Sequence, residues 1–328
     1  MSSTKFIMGM RDVFFTGLYD IFKKDKNCVF ITADNGAPTL DQFAQDFPKQ
    51  YYNVGIAEQQ LIGMACGMAF EGKKVYTYAI APFVTIRCYD QNKLDMCAMN
   101  LPIVNLGIGA GYAYDIMGPS HHTVEDISVM RTLPNLVMYG PADVTTARAL
   151  VDITYQSRSP QYIRFDRAGI PDLYEGQDVH FEDGLVQVTG DGVNDVTIIA
   201  TGIMVHNALK VAKNLQQNGI RASVVDLFRL KPINQELLLE IVKNSRSLVT
   251  LEEHLLAGGM GSAILEILSD HDVKILTLRI GQDDRFVFDY GGREVIWEKY
   301  GLDVLSITKK ISTWLKTQAK DQELAVKL

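Results

Sequence analysis

The sequence lacks the features that mark secreted, membrane-spanning and nucleic-acid-binding proteins. Its 328 residues contain no run of 18 apolar residues, and the opening MSSTKFIMGMRDVFF lacks the basic start, apolar core and cleavage site of a signal peptide. The 32 lysines and arginines are outnumbered by 39 aspartates and glutamates, which gives a net charge of −7. We therefore expect a cytoplasmic protein that binds neither nucleic acid nor an anionic membrane, although a local basic pocket for a phosphate-bearing small molecule stays open.

Cysteine is also scarce. Cys28, Cys66, Cys88 and Cys97 lie in hydrophobic segments of the first third, and none belongs to a CxxC pair or a histidine-rich metal motif. Free cysteines are most often simply buried. The sequence therefore predicts four reduced core thiols and no metal site in this chain.

The chain is rich in short apolar segments that alternate with amphipathic stretches of helix length. In the first half the strand-like segments are NCVFITAD, KVYTYAI, PIVNLGIG, NLVMYGPAD and PQYIRFD. The helix-like segments between them are MRDVFFTGLYDIFKK, AEQQLIGMACGMAF, PFVTIRCYDQNKLDMCAM, TVEDISVMRTL and VTTARALVDITYQS. This order predicts an α/β fold with a mainly parallel, doubly wound sheet.

A second, smaller α/β domain is predicted after a segment rich in Gly, Pro and Asp that leads into an edge strand. Its strand-like segments are VTIIATG, RASVVDL, SLVTLEE and VKILTLRI, separated by three helix-like segments and followed by helices around Trp297 and Ile311. Because 328 residues exceed one comfortable core, we predict two domains, at 1–175 and 193–328, joined by a linker at 176–192.

The residues that follow the predicted strands are the candidates for function, because ligands of such sheets gather at the carboxyl ends of the strands. Asp34, Glu58, residues 81–83, residues 109–122 and Arg167 occupy these positions. Glu58 opens the apolar stretch EQQLIGMACGMAF, and a buried carboxylate is costly unless it is solvated, paired or functional. On spacing alone, an acid that faces the positive end of a helix dipole is an equal alternative.

Several motifs resemble a known family. VGIAEQ, APFVTIRCYDQ, GPSHHTVEDISVMRTLPNLVMYGPAD and YIRFDRAGIP, in this order, are similar to the pyrimidine-binding domain of transketolase-type thiamine diphosphate enzymes. IIATG, VVDLFRLKPIN, LVTLEEH and GGMGSAI resemble the C-terminal domain of the same superfamily. The similarity extends from about residue 10 to about residue 308, and it implies two doubly wound domains that bind this cofactor.

The resemblance implies a cofactor-binding role for four residues. Glu58 matches the glutamate that shares a proton with the N1′ nitrogen of the cofactor's aminopyrimidine, a task suited to a carboxylate in a partly dry pocket. Phe83 would pack against the pyrimidine ring, with a core phenylalanine as the alternative, and Tyr78 or Tyr89 could share this work. Asp34 and Ile56 match positions near the cofactor. Asp34 belongs to a motif that, in this family, supports the contact of the cofactor with the dimer.

The resemblance assigns substrate contacts to a histidine and an arginine. His121 in GPSH matches the histidine that contacts the substrate oxygen, a role that a neutral imidazole can fill as donor or acceptor, and His122 is expected outside direct contact. The alternative is that both histidines only precede a helix with Thr123 as cap and Asp126 at the capping-box position.

Arg167 matches the arginine that binds the phosphate of a sugar substrate in transketolases and in 1-deoxyxylulose-5-phosphate synthase. Arg164, two residues into a strand, could instead be a surface or interface charge, and the same alternative stays open for Arg167. Gly109 and Met117 depart from the family, because they occupy positions where full-length transketolases carry a histidine and an aspartate that contact the sugar. This departure leaves open whether the substrates are the usual pentose and heptose phosphates.

The domain that binds the diphosphate and Mg²⁺ in this family has no counterpart in the sequence. A GDG motif does occur at residues 190–192, with Asn218 at a suggestive distance, but it precedes a strand instead of ending one, and we expect it to be a turn. Asn218 with Gly219 is typical of a helix C-terminus. The chain would thus contribute half of an active site, completed by an N-terminal transketolase subunit, with an α2β2 assembly expected.

We therefore predict one subunit of a two-chain transketolase that transfers a two-carbon ketol unit from a ketose to an aldose. Three alternatives stay open: the β chain of a 2-oxo-acid dehydrogenase, half of a 1-deoxyxylulose-5-phosphate synthase, and a non-catalytic subunit that kept the fold.

Overall fold

The fold consists of two α/β domains, each built on its own sheet. The structure is a computed structural model that describes residues 9–167 and 169–326. The strands are β1 (Cys28–Thr32), β2 (Tyr51–Asn53), β3 (Lys74–Ile80), β4 (Ile103–Ile108), β5 (Val137–Tyr139), β6 (Gln161–Phe165), β7 (Leu185–Thr189), β8 (Val196–Ala200), β9 (Ala222–Leu227), β10 (Arg229–Lys231), β11 (Ser247–Leu255) and β12 (Leu276–Gln282).

The helices lie between these strands. They are α1 (Met10–Lys24), α2 (Pro38–Asp46), α3 (Glu58–Phe70), α4 (Ala81–Val84), α5 (Tyr89–Gln91), α6 (Asp126–Met130), α7 (Val144–Gln156), α8 (Met204–Gln217), α9 (Gln235–Lys243), α10 (Met260–Asp270), α11 (Arg293–Tyr300) and α12 (Val304–Val326), with a π-helix at Asn92–Ala98 and a 3₁₀ turn at Phe181–Asp183. None of the helices in the described ranges is long and apolar enough to cross a membrane.

The first sheet has the strand order β10-β5-β6-β4-β3-β1-β2, and all its pairings are parallel except that of β10 with β5. Every residue of β1, β4 and β6 is buried. Strands covered on both faces lose their polar alternation, which explains why CVFIT and IVNLGI are nearly continuous apolar runs. The first domain is built on this sheet.

The second sheet has the order β12-β11-β8-β9-β7, and only the edge strand β7 runs antiparallel to its neighbour. The second domain is built on this sheet and begins with β7. The fold prediction of two mainly parallel α/β domains is confirmed. The exact boundaries at 175 and 193 stay a prediction.

Some local predictions differ from the structure. The helix predicted over 82–99 is broken into α4, α5 and the π-helix, and α6 covers only five residues of the predicted 123–133. Asn92 explains part of the break, since its buried side-chain amide donates to the carbonyl of Val84 at 2.9 Å, a local bond that competes with regular helix. The strand β10 is absent from the sequence prediction; it returns from the second domain to pair with the first sheet.

The cysteines and the GDG motif lie where the sequence predicts. All four cysteines are free and buried, and burial raises the pKa of each thiol to about 12, which makes them unreactive. Residues 190–192 form the connection between β7 and β8, with positive φ angles at Gly190 and Gly192. Asn218 is the C-cap of α8 and is followed by Gly219 at φ 77°.

Candidate active site

The candidate residues collect at one edge of the first sheet. The strands β1, β2, β3, β4 and β6 are parallel to one another, so their carboxyl ends meet at the same edge. Asp34 follows β1, Glu58 follows β2, Phe83 follows β3, His121 lies in the loop after β4, and Arg167 follows β6.

Glu58 is the first residue of α3 and its side chain is only 5% exposed. The first turn of a helix stabilises a carboxylate through the helix dipole. A second source of stabilisation is Arg87, whose Nη1 donates to Oε2 of Glu58 at 2.8 Å. The carboxylate is therefore buried, paired and placed at the mouth of the helix.

Phe83 lies beside this ion pair. The guanidinium of Arg87 sits over the Phe83 ring at 3.9 Å from the centroid, a cation–π contact. The Phe83 ring also meets the imidazole of His121 edge to face, with centroids 5.0 Å apart and an interplanar angle of 72°. Arg87 and Phe83 together thus connect the buried acid to the histidine.

His121 is half-buried, and Nδ1 lies 2.9 Å from the hydroxyl oxygen of Ser120. Burial, and next the positive charge of Arg87, lower the pKa of His121 below its usual value of 6.5. The imidazole is therefore neutral at pH 7, so one ring nitrogen donates and the other accepts a hydrogen bond.

Tyr114 fills the space between His121 and Arg167. Its ring lies 5.9 Å from that of His121, and the Arg167 guanidinium sits over it at 5.0 Å. The backbone beneath is Gly109, at φ 100°, where a Cβ would come within 2.2 Å of Tyr114 Cε2. Gly109, which the sequence marks as a departure from the family, is thus required for the position of the tyrosine.

The remaining predicted residues lie around this line of contacts. Asp34, Ile56 and Met117 are exposed, Ile56 by 79%. His122 is buried instead, with its ring packed edge to face on Tyr112 at 4.9 Å, and burial lowers the pKa of His122. The hydroxyl of Tyr112 in turn donates to Gln282 of the second domain.

The two tyrosines considered as partners of Phe83 lie elsewhere. Tyr78 is in the core, with its ring edge-on to that of Phe15 and its hydroxyl accepting from Arg11 at 3.1 Å. The Tyr89 hydroxyl lies 2.8 Å from Thr132 Oγ1.

Two sequence-based interpretations are wrong. Arg164 is not a surface charge: its side chain is 5% exposed, and its Nε and Nη2 donate to the two carboxylate oxygens of Asp126 at 2.9 and 3.1 Å. This contact also removes the capping-box alternative. The N-cap of α6 is Glu125, without a side-chain capping bond, because the Asp126 carboxylate is engaged by Arg164 and Tyr162.

Two residues of the site escape the sequence analysis, namely Arg87 and Tyr114. A signal for Arg87 exists in the motif APFVTIR, because a spacing of four residues brings a cation over a ring wherever the chain turns helically. No comparable signal marks Tyr114. Its position depends on the path of a loop that holds neither helix nor strand.

A cleft of about 830 Å³ opens beside Arg167, between the two domains. Its lining includes Arg167 and Ile170 from the first domain and His206, Lys210 and Trp297 from the second. This volume falls within the range of small-molecule sites. The arrangement leaves the Arg167 guanidinium accessible to a ligand.

The residues present fit one part of thiamine diphosphate. A buried carboxylate close to a half-buried aromatic ring is suited to an aminopyrimidine, which presents a nitrogen to the acid and a flat face to the ring. They offer nothing comparable for a metal diphosphate, since the described ranges contain no group of three or more His, Cys, Asp or Glu side chains placed to hold a metal ion.

Comparisons with known proteins define the class of the chain. Residues 8–171 match the family "Transketolase, pyrimidine binding domain", and residues 184–307 match "Transketolase, C-terminal domain". This pair of domains is typical of transketolase-type thiamine diphosphate enzymes.

Curated relatives agree over the whole chain. A subunit of an apulose-4-phosphate transketolase from Phocaeicola vulgatus is 34% identical over 94% of this chain and 98% of its own length. A putative transketolase C-terminal section from Methanocaldococcus jannaschii is 35% identical over 94% of this chain and 97% of its own length. The chain therefore belongs to the transketolase family.

A longer relative and two solved structures add detail. A 1-deoxy-D-xylulose-5-phosphate synthase from Geobacter sulfurreducens is 34% identical over 92% of this chain, which spans 47% of that protein. The structure of a split gene transketolase, described as an inactive β4 tetramer, has a TM-score of 0.84 at 35% identity and is covered over 99% of its length. A transketolase from Pichia stipitis has the same fold, with a TM-score of 0.82 at 18% identity, and is covered over 48%.

Proposed function

We propose that this chain is one subunit of a two-chain transketolase of cytoplasmic carbohydrate metabolism. The reaction breaks the C2–C3 bond of a ketose phosphate donor and joins the two-carbon ketol unit to the aldehyde carbon of an aldose acceptor. The remainder of the donor leaves as a shorter aldose, and no net oxidation or reduction occurs. The observation that carries the proposal is the series of contacts from Glu58 through Arg87 and Phe83 to His121 at the carboxyl edge of the sheet.

Thiamine diphosphate is the cofactor that the family implies, and when bound it supplies the carbon nucleophile that carries the ketol unit. In this chain Glu58 and Phe83 would hold its aminopyrimidine, with Asp34 and Ile56 near it. Glu58 would keep a proton on the ring nitrogen, since a carboxylate that is 5% exposed forms a stronger hydrogen bond than a solvated one.

His121 and Arg167 are the proposed substrate contacts. The lowered pKa of His121 keeps the imidazole neutral, so it can donate to a substrate oxygen or take a proton from it as the carbon–carbon bond breaks and forms. Arg167 is exposed, and its planar guanidinium suits the phosphate of a sugar. Tyr114 would orient both groups.

A partner subunit would hold Mg²⁺ and the diphosphate, in an α2β2 assembly. Support comes from two relatives that match this chain over nearly their full length, since one is a transketolase subunit and the other a putative transketolase C-terminal section. The synthase, which is about twice as long, points the same way. The solved β4 tetramer is described as inactive, which fits self-association without activity in the absence of a partner.

The test is ketol transfer by the chain co-purified with its partner subunit, assayed with thiamine diphosphate and Mg²⁺ against a panel of ketose donors and aldose acceptors. We expect turnover only when both chains are present, and a loss of at least about 1,000-fold in Glu58→Gln, because the amide cannot exchange the proton. Asp41→Asn is the matched control, an exposed acid in the first turn of α2. Full activity of the Glu58→Gln complex would refute the proposal.

A second candidate is supported by the synthase relatives. Half of a 1-deoxyxylulose-5-phosphate synthase would consume a 2-oxo acid and an aldehyde phosphate and release carbon dioxide. The same complex is therefore assayed with pyruvate and glyceraldehyde 3-phosphate. Carbon dioxide release without ketol transfer would replace the first proposal with the second.

A further inference from the structure

The loop that carries Tyr114 and His121 is held from behind by the second domain. This loop, residues 109–123, leaves β4 and is closed at its base by Gly111, whose N–H donates to the carbonyl of Thr123 at 2.9 Å and whose carbonyl accepts from Thr123 at 2.8 Å. Tyr114 and His121 extend from the closed part toward the site. The base of the loop faces the second domain instead.

Glu253, at the end of β11, binds this base. Its Oε2 accepts from the backbone N–H of Tyr112 at 3.1 Å. The approach is so close that a Cβ on Gly111 would lie 1.8 Å from the same oxygen. The hydroxyl of Tyr112 adds a second bond between the domains, since it donates to Gln282 Oε1 at 2.8 Å.

Arg293, the first residue of α11, joins the loop to the strand end that bears Arg167. Its backbone N–H donates to Asp115 Oδ2 at 2.8 Å, and its Nη2 lies 2.7 Å from Asp166 Oδ2. Its guanidinium also bonds to Glu253, with Nε at 2.9 Å from Oε1. Asp166 directly precedes Arg167, and the same Nη2 lies 3.4 Å from the carbonyl oxygen of Ala110 in the loop. Arg293 therefore connects both sequence segments of the proposed substrate site, through its backbone and its guanidinium.

The side chains in this cluster are buried, Arg293 at 11% exposed and Asp166 and Glu253 at 3% and 4%. Charged groups withdrawn from water hold a fixed geometry only when several hydrogen bonds satisfy them together. A planar guanidinium can meet two carboxylates at once, and a lysine ammonium on its flexible stem cannot do so with the same rigidity. The geometry is therefore specific to arginine.

We propose that Arg293 and Glu253 are positioning residues, through which the second domain sets the places of Tyr114, His121 and Arg167. The proposal has a mechanical part, that these two residues hold the loop in place, and a catalytic part, that this placement supports substrate binding. Only the catalytic part rests on the function proposed above. The second domain thereby contributes to substrate recognition without touching the substrate.

The mechanical part is tested by hydrogen–deuterium exchange on the full-length chain, comparing Arg293→Lys with the unchanged protein. The amides of residues 109–112 and Thr123 all donate hydrogen bonds at the base of the loop. We expect these amides to exchange at least about tenfold faster in the variant, while α1 and α3 exchange as before. Unchanged protection of residues 109–123, or equal acceleration throughout the chain, would overturn the proposal.

The catalytic part is tested by steady-state kinetics of the complex with its partner subunit. We expect Arg293→Lys to raise the KM for the phosphorylated substrate at least about tenfold, with the Kd for thiamine diphosphate within twofold of the original value. An equal effect on both constants would contradict a positioning role. If the unchanged complex shows no ketol transfer, the proposed function fails while the exchange result still decides the mechanical part.

Two further variants separate positioning from general stability. Tyr112→Phe removes only the hydroxyl bonded to Gln282 and should increase the exchange rates of the same amides by a smaller factor. This variant tests the mechanical part if Arg293→Lys does not fold. Arg131→Gln is the matched control, because Arg131 joins the two domains through Glu266 at 3.0 Å. The proposal would be refuted if Arg131→Gln changed both the hydrogen exchange of the loop and the KM for the phosphorylated substrate as strongly as Arg293→Lys does.

Discussion

Arg164 and Arg167 lie three residues apart at the end of the same strand, yet their surroundings are opposite. Arg164 is buried and donates two hydrogen bonds to Asp126. Arg167 is exposed and rests on the ring of Tyr114. The first is held by a buried network between the domains, and the second belongs to an open edge where aromatic rings support the charges.

The comparison extends to the neighbours of each arginine. In the buried network, Asp126 lies near His254, and Arg293 binds Glu253 and Asp166, so each cation is matched by carboxylates. At the open edge, the cations stack on Phe83 and Tyr114. A buried charge enclosed by opposite charges cannot lose one partner without a large loss of stability, whereas a charge that rests on a ring and faces a cleft stays accessible to a ligand.

The largest effect is expected from breaking the buried pair. Arg164→Gln leaves the Asp126 carboxylate without its cation in a site with 0% exposure, and loss of one partner of a buried pair costs about 3–5 kcal/mol of the free energy of unfolding. Urea unfolding followed by circular dichroism measures the change. Arg131→Gln, which breaks a pair whose acid is 61% exposed, should cost about 1 kcal/mol or less. Equal losses in the two variants would mean that burial does not distinguish these pairs.

A pH titration of stability tests the same network. His254 is fully buried, with Nε2 accepting from the Ile127 N–H and Nδ1 donating to the Leu255 carbonyl, and burial lowers the pKa of His254 to about 4. The unfolded chain, with a histidine pKa of 6.5, therefore binds more protons than the folded chain between pH 4 and 6.5. The contribution of His254 is fully present above pH 6.5 and decreases as the pH falls, by up to about 3 kcal/mol near pH 4.

The measurement is the free energy of unfolding of the original protein and of His254→Gln, whose amide can donate and accept at the same places, from pH 7.5 to pH 4.5. The difference between the two proteins should shift in favour of the variant as the pH falls. The charged groups that face the ring are the carboxylates of Asp126 and Glu252, at 3.7 and 3.9 Å, and the cation of Arg164. They are present in both proteins, so their own titration affects both curves. Parallel curves would show that His254 does not titrate in this range.

At the open edge, Arg167→Lys should act on substrate binding and spare stability. Because a lysine cannot form the bidentate contact of a guanidinium, we expect the KM for a phosphorylated substrate to rise about 10- to 100-fold, with the free energy of unfolding changed by less than about 0.5 kcal/mol. The control is Arg285→Lys, another exposed arginine over a tyrosine ring. If the KM for an unphosphorylated substrate rose by a similar factor, Arg167 would not act by recognising phosphate.

Much of this comparison follows from the sequence. Glu58 at the start of a helix, the strands β1, β4 and β6, and the order of residues along the carboxyl edge are set by local patterns: apolar runs of strand length, and polar residues placed directly after them. The structure has the predicted helix at α3 and the predicted histidine beside the predicted phenylalanine.

The rest depends on contacts between segments far apart in the chain. Nothing near Arg164 indicates that Asp126, 38 residues earlier, will fold against it, so the local pattern cannot distinguish this arginine from a surface charge. Tyr114 and Arg293 are placed by a loop path and by the docking of two domains, neither of which has a periodic pattern. The strand β10 is three residues long and pairs with a strand of the other domain, too short for any alternation to show.

The smallest effect concerns Arg87, a cation of the open edge that is also paired with an acid. The guanidinium of Arg87 is planar, lies 3.9 Å from the centre of the Phe83 ring and donates to Glu58 at 2.8 Å. These are the two contacts that the proposed function assigns to the aminopyrimidine. Each contact is worth up to about 1 kcal/mol at a side chain that is 44% exposed. Because the two contacts together are worth up to about 2 kcal/mol, Arg87→Ala should tighten thiamine diphosphate binding to the assembled complex by up to about 30-fold, measured by isothermal titration calorimetry. Arg87→Lys keeps the charge, loses the planar stack and should give an intermediate Kd; weaker binding in Arg87→Ala would instead show that the arginine stays beside the cofactor and supports it.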